Sequence, residues 1–298
     1  MINMLKAIRK KQKLWVAWLL VAPVILIRGF TTLYPTVKIF VNSFYEIKLL
    51  KNPNRKFVGF RNYINIFKDA KVLDSIEFTL IFTVSSVLFL VIIGTAFALL
   101  LNVKFKGKKF LRTIALIPWA LPMVVVGIAA KWSFNDTYGF INDLIRRLLP
   151  NFHLDWLTSI NTAQISVILV DLWKNIPYFA ILVLASLQFI SDDIYEAAKL
   201  DGASHMQTFI SITLPSIRKT IMLLIIFFSI WRLTSYDIVY AMTSGGPANG
   251  TSLIAYRIMT ESFTNLNVGY ASAISMVLFL CMAFLSIINL IFIKKIDD

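Results

Sequence analysis

Charged and amide side chains interrupt a long apolar run between residues 163 and 189. Asp171, Lys174 and Asn175 lie three and four residues apart, so on a helix they would share one face. Charges inside such a run are costly, and they normally face a partner helix or a water-filled cavity. Two interpretations stay open: an internal ion pair, such as Asp171 with Lys174, or direct contact with a polar ligand. Pro177 cannot donate the backbone bond that would reach residue 173, so we expect a helix break beside this polar stripe.

A comparable polar group stands in the following apolar run. There Trp231, Arg232, Tyr236 and Asp237 combine aromatic and charged side chains. Arg232 and Tyr236 are four residues apart and would share a helical face. Asp237 would lie elsewhere on that helix, where it is a candidate partner for Lys174 across a helix bundle.

The polar segment between these two runs carries signals of two short helices. Ser191 can cap the first helix, and Gly202 can end it in a left-handed conformation. Ser204 and Gln207 have the spacing of a capping box, which predicts the start of the second helix. Pro215 is expected to limit the length of that second helix. The pattern predicts a helix-turn-helix loop between the apolar runs.

The composition excludes an ordinary water-soluble domain. Of the 298 residues, 58% are hydrophobic and the mean hydropathy is +0.73, which is more apolar surface than polar groups could cover. The net charge of +14 is gathered in short segments that flank apolar runs, so it indicates membrane topology and not a nucleic-acid partner. The single Cys281 allows no internal disulfide, and the isolated His153 and His205 lack metal-ligand spacing. A lipid bilayer is the expected solvent.

Six apolar runs are long enough to cross a bilayer as helices, which need about 20 residues each. Their approximate limits are 14–33, 76–101, 114–132, 163–189, 221–242 and 270–293. Helices are required because lipid offers the backbone no hydrogen-bond partner, and no ten-residue alternation indicates a barrel.

Basic residues orient these spans, because cytoplasmic flanks collect lysine and arginine. Such flanks precede the first span and follow the second and the last, at Lys6, Arg9, Lys10, Lys11, Lys13, Lys104, Lys106, Lys108, Lys109, Arg112, Lys294 and Lys295. Both termini of the predicted multi-pass membrane protein are expected to be cytoplasmic, and the stretches 138–162 and 243–269 external. The loop 42–74 is basic although it would be external. The positive-inside rule therefore holds only when basic residues are counted per residue of loop length.

No small-residue cleavage site follows the first run, which favours an anchor over a signal peptide.

The polar loop also carries a longer pattern. Glu196-Ala197-Ala198 is followed after three residues by Gly202, and after nine more by Ile212-Thr213-Leu214-Pro215. With this spacing the chain resembles the inner-membrane permease subunits of binding-protein-dependent ABC importers, in which the cytoplasmic loop docks on the ATPase subunit as the coupling helix. A plain amphipathic loop is the alternative, although the full spacing rarely arises by chance. The coupling residues that the resemblance implies are Glu196, Ala197, Ala198, Asp201, Gly202, Leu214 and Pro215.

Further motifs resemble the carbohydrate branch of that family, the relatives of maltose, glycerol-phosphate and oligosaccharide permeases. The segment Ile117-Pro118-Trp119-Ala120-Leu121-Pro122 looks like their proline-broken helix. Residues 57–63 look like their external segment after the first helix, and Gly245-Gly246-Pro247 is similar to a group typical of this branch. Ser191 stands where the family has proline, and serine caps a helix equally well.

The resemblance implies an all-α polytopic membrane protein with six transmembrane helices and the type I ABC importer (MetI-like) permease fold, with a cytoplasmic coupling helix. Residues 1–74 would form the N-terminal tail, first helix and external segment. Residues 75–298 would form a five-helix core with the coupling loop at 191–215. The resemblance implies a transport subunit and not an enzyme. ATP hydrolysis is expected on a separate subunit, because this sequence has no Gly-x-x-x-x-Gly-Lys-Ser/Thr phosphate loop.

The resemblance further implies that this chain binds no cofactor, and that ATP and Mg bind a separate ATPase. The implied partners are a second, related but non-identical permease subunit, two ATPase subunits and an extracytoplasmic sugar-binding protein. A sugar path would combine carboxylates, amides and aromatic planes. Candidates for it are Trp119, Asp171, Trp173, Asn175, Tyr178, Trp231, Tyr236 and Asp237, although each aromatic ring has packing as its alternative role. The alternative function is an ion-gradient-driven secondary transporter, which would leave the loop pattern unexplained.

Overall fold

The structure, a computed structural model, describes residues 15, 18–49, 52–103 and 106–297, and these are nearly all helical. The helices are α1 (Trp18–Ser43), α2 (Arg61–Ile66), α3 (Ala70–Asn102), α4 (Lys108–Ala120), α5 (Met123–Ser133), α6 (Phe140–Arg146), α7 (Ile160–Leu187), α8 (Asp192–Leu200), α9 (His205–Leu233), α10 (Asp237–Met242), α11 (Ile254–Met259) and α12 (Val268–Asp297). Five of them are long and apolar enough to cross a membrane, and a sixth span results if α4 and α5 count as one bent span. The predicted all-α architecture is confirmed. The basic residues before Leu14, together with Lys104, lie outside the described residues.

The third span is broken as its two prolines predict. Helices α4 and α5 meet at an angle of 85°, with Leu121 and Pro122 in extended conformation between them. Pro177 behaves differently, because α7 runs through it without interruption from Ile160 to Leu187. The expected break beside the polar stripe is therefore wrong, and the stripe lies on a continuous helix.

The fifth span differs from its predicted limits of 221–242 at both ends. It begins at His205, because a π-helical turn at Phe209–Thr213 brings the Leu214 N–H to the Phe209 carbonyl and places Pro215 in the first turn of the next helical segment. A proline in a first turn leaves no hydrogen bond unmade, so Pro215 does not end the helix. The span ends at Leu233, where the Thr234 hydroxyl donates to the Ile230 and Trp231 carbonyls.

The chain divides into two compact units, of which the first comprises Met1–Ile64 and Glu261–Met276. It contains α1, which exceeds its predicted limit of residue 33 by reaching Ser43, and a hairpin that the sequence did not indicate. The strands β1 (Tyr45–Lys48) and β2 (Asn52–Phe57) pair antiparallel. The Lys48 ammonium lies 2.8 Å from the Glu46 carboxylate and lowers the pKa of that carboxyl by this hydrogen bond and its charge. The division that we predict at residue 74 stays a prediction.

The second unit comprises Asn65–Thr260 and Val277–Asp298. Two apolar clusters hold it together. One joins α3, α7 and α9 through buried residues that include Phe179 and Phe228. The other joins α3, α5, α7 and α10 around Phe82 and Ile238. These clusters fix α7 between its neighbours and therefore fix the direction of its polar stripe.

Candidate functional site

A polar and aromatic cavity of about 330 Å³ lies where α7, the end of α9 and the α4–α5 bend come together. Six of the eight candidate residues line it: Trp119, Asp171, Asn175, Trp231, Tyr236 and Asp237. Lys174 and Arg232 also line it, so the two polar groups of the sequence meet in one place. Tyr236 and Asp237 reach the cavity from beyond the end of α9, so the prediction that Arg232 and Tyr236 share a face of one helix is wrong.

Asp171 is at the centre of a buried hydrogen-bond network. Its Oδ2 accepts from the Arg232 Nη2 at 3.0 Å and from Nε at 3.2 Å, and its Oδ1 accepts from the Asn175 Nδ2 at 2.9 Å. The side chains of Asp171 and Arg232 are only 4% and 3% exposed. The Arg232 guanidinium also lies over the Phe228 ring, 4.8 Å from its centre. The charge of Asp171 is thus paired with arginine, and the ion pair predicted with Lys174 is wrong.

Lys174 contacts the backbone of the bent third span. Its Nζ donates to the Trp119 carbonyl at 2.6 Å and lies 3.4 Å from the Pro118 carbonyl. Within the described part of the chain it forms no ion pair, so the predicted pairing with Asp237 is wrong as well. The lysine instead compensates carbonyls that the helix break leaves free.

Aromatic rings form the cavity wall on the side of the bend. Trp119 stacks on Tyr178 with ring centres 4.2 Å apart and planes inclined by 12°. Trp231 meets Tyr178 edge to face at 6.4 Å and stacks on Phe228 at 5.9 Å. Tyr178 therefore supports the wall from behind, although it does not line the cavity itself. Flat apolar rings beside a carboxylate and an amide match the chemistry of a polyhydroxylated ring compound.

Trp173 is the candidate that the structure places elsewhere. It borders a separate, largely apolar cavity of about 490 Å³ that is lined by α5, α6 and α7, and its side chain is half exposed. Sequence reasoning also missed Tyr240 and Tyr256, whose rings both stack on the Tyr236 ring, with ring centres 5.2 and 5.8 Å apart. Tyr240 is four residues after Tyr236, a spacing that could have indicated it.

The predicted coupling loop folds as its local signals require. The Ser191 hydroxyl accepts from the Asp193 N–H and caps α8, and Gly202 ends the turn with a φ of +77°. Ser204 and Gln207 form the complete capping box at the start of α9. In this helical pair Ala198 is buried, whereas Glu196, Ala197 and Asp201 are exposed. Glu196 and Ala197 in α8, and Asp201 directly after it, are therefore accessible to a partner.

A second contact set fixes α8 against the start of α9. The Tyr195 hydroxyl lies 3.1 Å from the Thr213 hydroxyl, in the π-helical turn before Leu214 and Pro215. A cleft of about 690 Å³ borders this contact and is also lined by Asn102 at the end of α3. Tyr195 and Asn102 carry no signal in the sequence pattern, because only the folded loop brings them to Thr213. The hydroxyl contact therefore links α8 to the π-helical turn of α9.

Comparison with known proteins decides the family. The family described as "Binding-protein-dependent transport system inner membrane component" matches residues 77–298, more than half of the chain. The chain belongs to this family. The permease is 33% identical over 288 residues to the sulfoquinovosyl glycerol transport system permease protein SmoG of Agrobacterium fabrum, across 93% of each chain. It is 36% identical over 239 residues to the trehalose/maltose transport system permease protein MalF of Thermococcus litoralis, across 80% of each chain.

Solved structures show the same fold. A bacterial ABC transporter involved in the import of the acidic polysaccharide alginate has a chain that superimposes with a TM-score of 0.81 at 20% identity. The match covers 98% of the permease and 100% of that chain. A chain of the MetNI methionine ABC transporter matches 75% of the permease with a TM-score of 0.54. The MetI-like fold is confirmed, and the permease is a membrane-embedded transport subunit of an ABC importer and not an enzyme.

Proposed function

We propose that this permease forms one half of the path by which a sugar or oligosaccharide crosses the membrane. The observation that carries the proposal is the cavity between α7, α9 and the α4–α5 bend, where Asn175, Trp119 and Trp231 stand together. Amide groups can hydrogen-bond to sugar hydroxyls, and indole planes can stack on the apolar faces of sugar rings. The names of the relatives SmoG and MalF, which include sulfoquinovosyl glycerol and trehalose/maltose, support this substrate class.

The partners follow from the same proposal. A second, related permease subunit would complete the path, two ATPase subunits would bind ATP and Mg, and an extracytoplasmic binding protein would deliver the sugar. The exposed face of α8, with Glu196, Ala197 and Asp201, would dock on one ATPase, supported by Gly202 and by Leu214 and Pro215 in α9. A solved alginate transporter in complex with a pentasaccharide-bound periplasmic protein supports a delivery partner of this kind. Both termini of the permease would be cytoplasmic.

Ion-gradient-driven transport is the alternative that the family membership does not favour. It would use Asp171 or Asp237 as an ion-binding group. Asp171, however, has both carboxylate oxygens occupied by Arg232 and Asn175. A carboxylate that is paired in this way has little capacity to bind a transported cation, so Asp171 is a poor candidate for an ion-binding group.

Uptake into proteoliposomes tests the sugar path. The complete complex with its binding protein would be supplied with maltose, trehalose or sulfoquinovosyl glycerol, with and without ATP inside the vesicles. We expect ATP-dependent uptake of at least one of them, and a loss of up to about tenfold in Trp119→Ala and Trp231→Ala, because one ring contact is worth about 0.5–1.5 kcal/mol. Trp173→Ala is the matched control, since Trp173 lies outside this cavity. Equal effects of all three substitutions would contradict the proposed path.

A further inference from the structure

The bend between α4 and α5 leaves two backbone carbonyls without helical partners. In an α-helix the carbonyl of Pro118 would accept from the N–H of residue 122, but Pro122 has no N–H. The carbonyl of Trp119 would accept from Met123, but the chain has left the helix by then, since the ψ angles of Leu121 and Pro122 are 140° and 136°. Within a membrane span such carbonyls need another donor.

Lys174 supplies that donor from another span. Its ammonium lies 2.6 Å from the Trp119 carbonyl and 3.4 Å from the Pro118 carbonyl, and the residue is only 7% exposed. A cation at the C-terminal end of α4 also matches the negative end of that helix dipole. The lysine therefore caps the C-terminal end of α4, where the following residues supply no backbone donor for these two carbonyls.

Helix α7 makes a second contact with Trp119, through the side chain of Tyr178. Tyr178 is four residues after Lys174, on the same face of α7, and its ring stacks on the Trp119 indole at 4.2 Å. One turn of α7 thus contacts both the backbone and the side chain of Trp119. These two contacts fix the indole on the wall of the cavity.

We propose that Lys174 is a positioning residue for transport, which holds the α4–α5 bend so that Trp119 faces the sugar path. The inference rests on the proposed function, because it assigns Trp119 to the wall of that path. Lys174 acts on the sugar through Trp119, since its ammonium contacts the two carbonyls of the bend. Without the ammonium the two carbonyls lose their donor, so the bend is no longer held in place and the Trp119 indole changes its orientation.

Fluorine NMR of the assembled complex, with fluorotryptophan incorporated into the permease, tests the position of Trp119 without any sugar. The chain has seven tryptophans, and Trp119→Phe identifies the resonance of interest. We expect this resonance to shift or broaden in Lys174→Met and to return in Lys174→Arg, which keeps donors for the carbonyls. Lys131→Met is the matched control, because Lys131 is an exposed lysine at the end of α5, and it should leave the resonance unchanged. An unchanged resonance in Lys174→Met overturns the proposal. If that variant does not assemble, Lys174→Leu, which likewise has no donor, replaces it, and the same criterion applies.

The number of sugars imported per ATP hydrolysed tests the consequence for transport. The probe is whichever of maltose, trehalose and sulfoquinovosyl glycerol the wild-type complex imports fastest. We expect Lys174→Met to lower this ratio about tenfold, the equivalent of one hydrogen bond to a charged group, while ATP hydrolysis persists. The double variant Lys174→Met/Trp119→Ala should be no worse than Trp119→Ala alone. Additive losses would overturn the proposal, because the lysine would then contact the sugar itself. An unaffected ratio in Trp119→Ala would instead contradict the assignment of the cavity, and the NMR result would still decide the role of Lys174 at the bend.

Discussion

The Arg232 guanidinium donates twice to one carboxylate oxygen of Asp171, at 3.0 and 3.2 Å, and so joins α9 to α7. Both side chains are almost completely buried. Removing one partner of such a pair costs about 3–5 kcal/mol, because the other charge is left in a medium of low polarity. The pair therefore specifies how the two helices meet at the cavity, and it makes each single substitution more harmful than removal of both charges.

Arg232→Met should lower the free energy of unfolding by about 3–5 kcal/mol and reduce the yield of assembled complex. The double variant Asp171→Asn/Arg232→Met should recover much of that yield, because it buries no charge and keeps an acceptor oxygen at residue 171 for the Asn175 amide. Thermal denaturation of the purified complex measures the stability of both variants, and the amount of purified complex gives their yield. A double variant that is less stable than Arg232→Met would show that the charges themselves, and not their imbalance, stabilise the contact.

Gly127 should be intolerant of a side chain, because α5 and α10 touch at this point. A Cβ at Gly127 would lie 2.6 Å from the Ala241 Cβ. Gly127→Ala should therefore lower stability by about 1–3 kcal/mol, as overpacking does elsewhere. The reciprocal double variant Gly127→Ala/Ala241→Gly moves the methyl group to the other helix and should restore most of the loss. No restoration in a thermal melt would mean that the clash is not with Ala241.

Local signals in the sequence were sufficient for the features that depend on neighbouring residues. The capping box of Ser204 with Gln207, the left-handed Gly202 and the proline break before α5 are all confirmed, because their partners lie within five residues. The apolar runs were equally informative, since a bilayer demands long helices whatever their partners. Pro215 shows the limit of this reasoning, because the π-helical turn that accommodates it leaves no clear sequence pattern.

Side-chain partners across the bundle could not be predicted in this way. Arg232 and Asp171 are 61 residues apart, and Lys174 contacts a carbonyl 55 residues away. Periodicity placed Asp171, Lys174 and Asn175 on one face correctly, but it could not show that the arginine is closer to the carboxylate than the lysine is. Trp173 was assigned to the path by residue type, whereas the packing of α7 directs it to another cavity.

Gly202 gives a test of the coupling loop. Its φ is +77°, and a Cβ there would meet nothing within 4 Å, so any penalty for a side chain comes from the backbone alone. Gly202→Val should cost about 1–2 kcal/mol and turn α8 away from its direction, with lower uptake but normal membrane insertion. Gly202→Asn is the control, because asparagine tolerates this conformation. Uptake that is equally low in both variants would contradict the backbone explanation.

Docking of α8 on the ATPase predicts a specific cross-link. Ala197 is exposed on α8, so a cysteine at this position should cross-link to a cysteine in the ATPase groove of the assembled complex. The buried neighbour Ala198 is the control position and should cross-link poorly. The experiment needs Cys281→Ser as background, since Cys281 is the only native cysteine. An active complex in which Ala197→Cys forms no cross-link would rule out α8 as the coupling helix.

The orientation of the permease is testable by cysteine labelling in the same background. Residues 138–162 and 243–269 should be external, because the positive-inside rule places the basic flanks of the first two spans in the cytoplasm. Cysteines at the exposed positions Asn151 and Asn265 should therefore react with an impermeant reagent in intact cells. A cysteine at Glu196, exposed on α8, should react only after permeabilisation. The reverse pattern would place α8 outside the cell, where no ATP-hydrolysing partner could reach it, and the coupling role would have to be abandoned together with the topology.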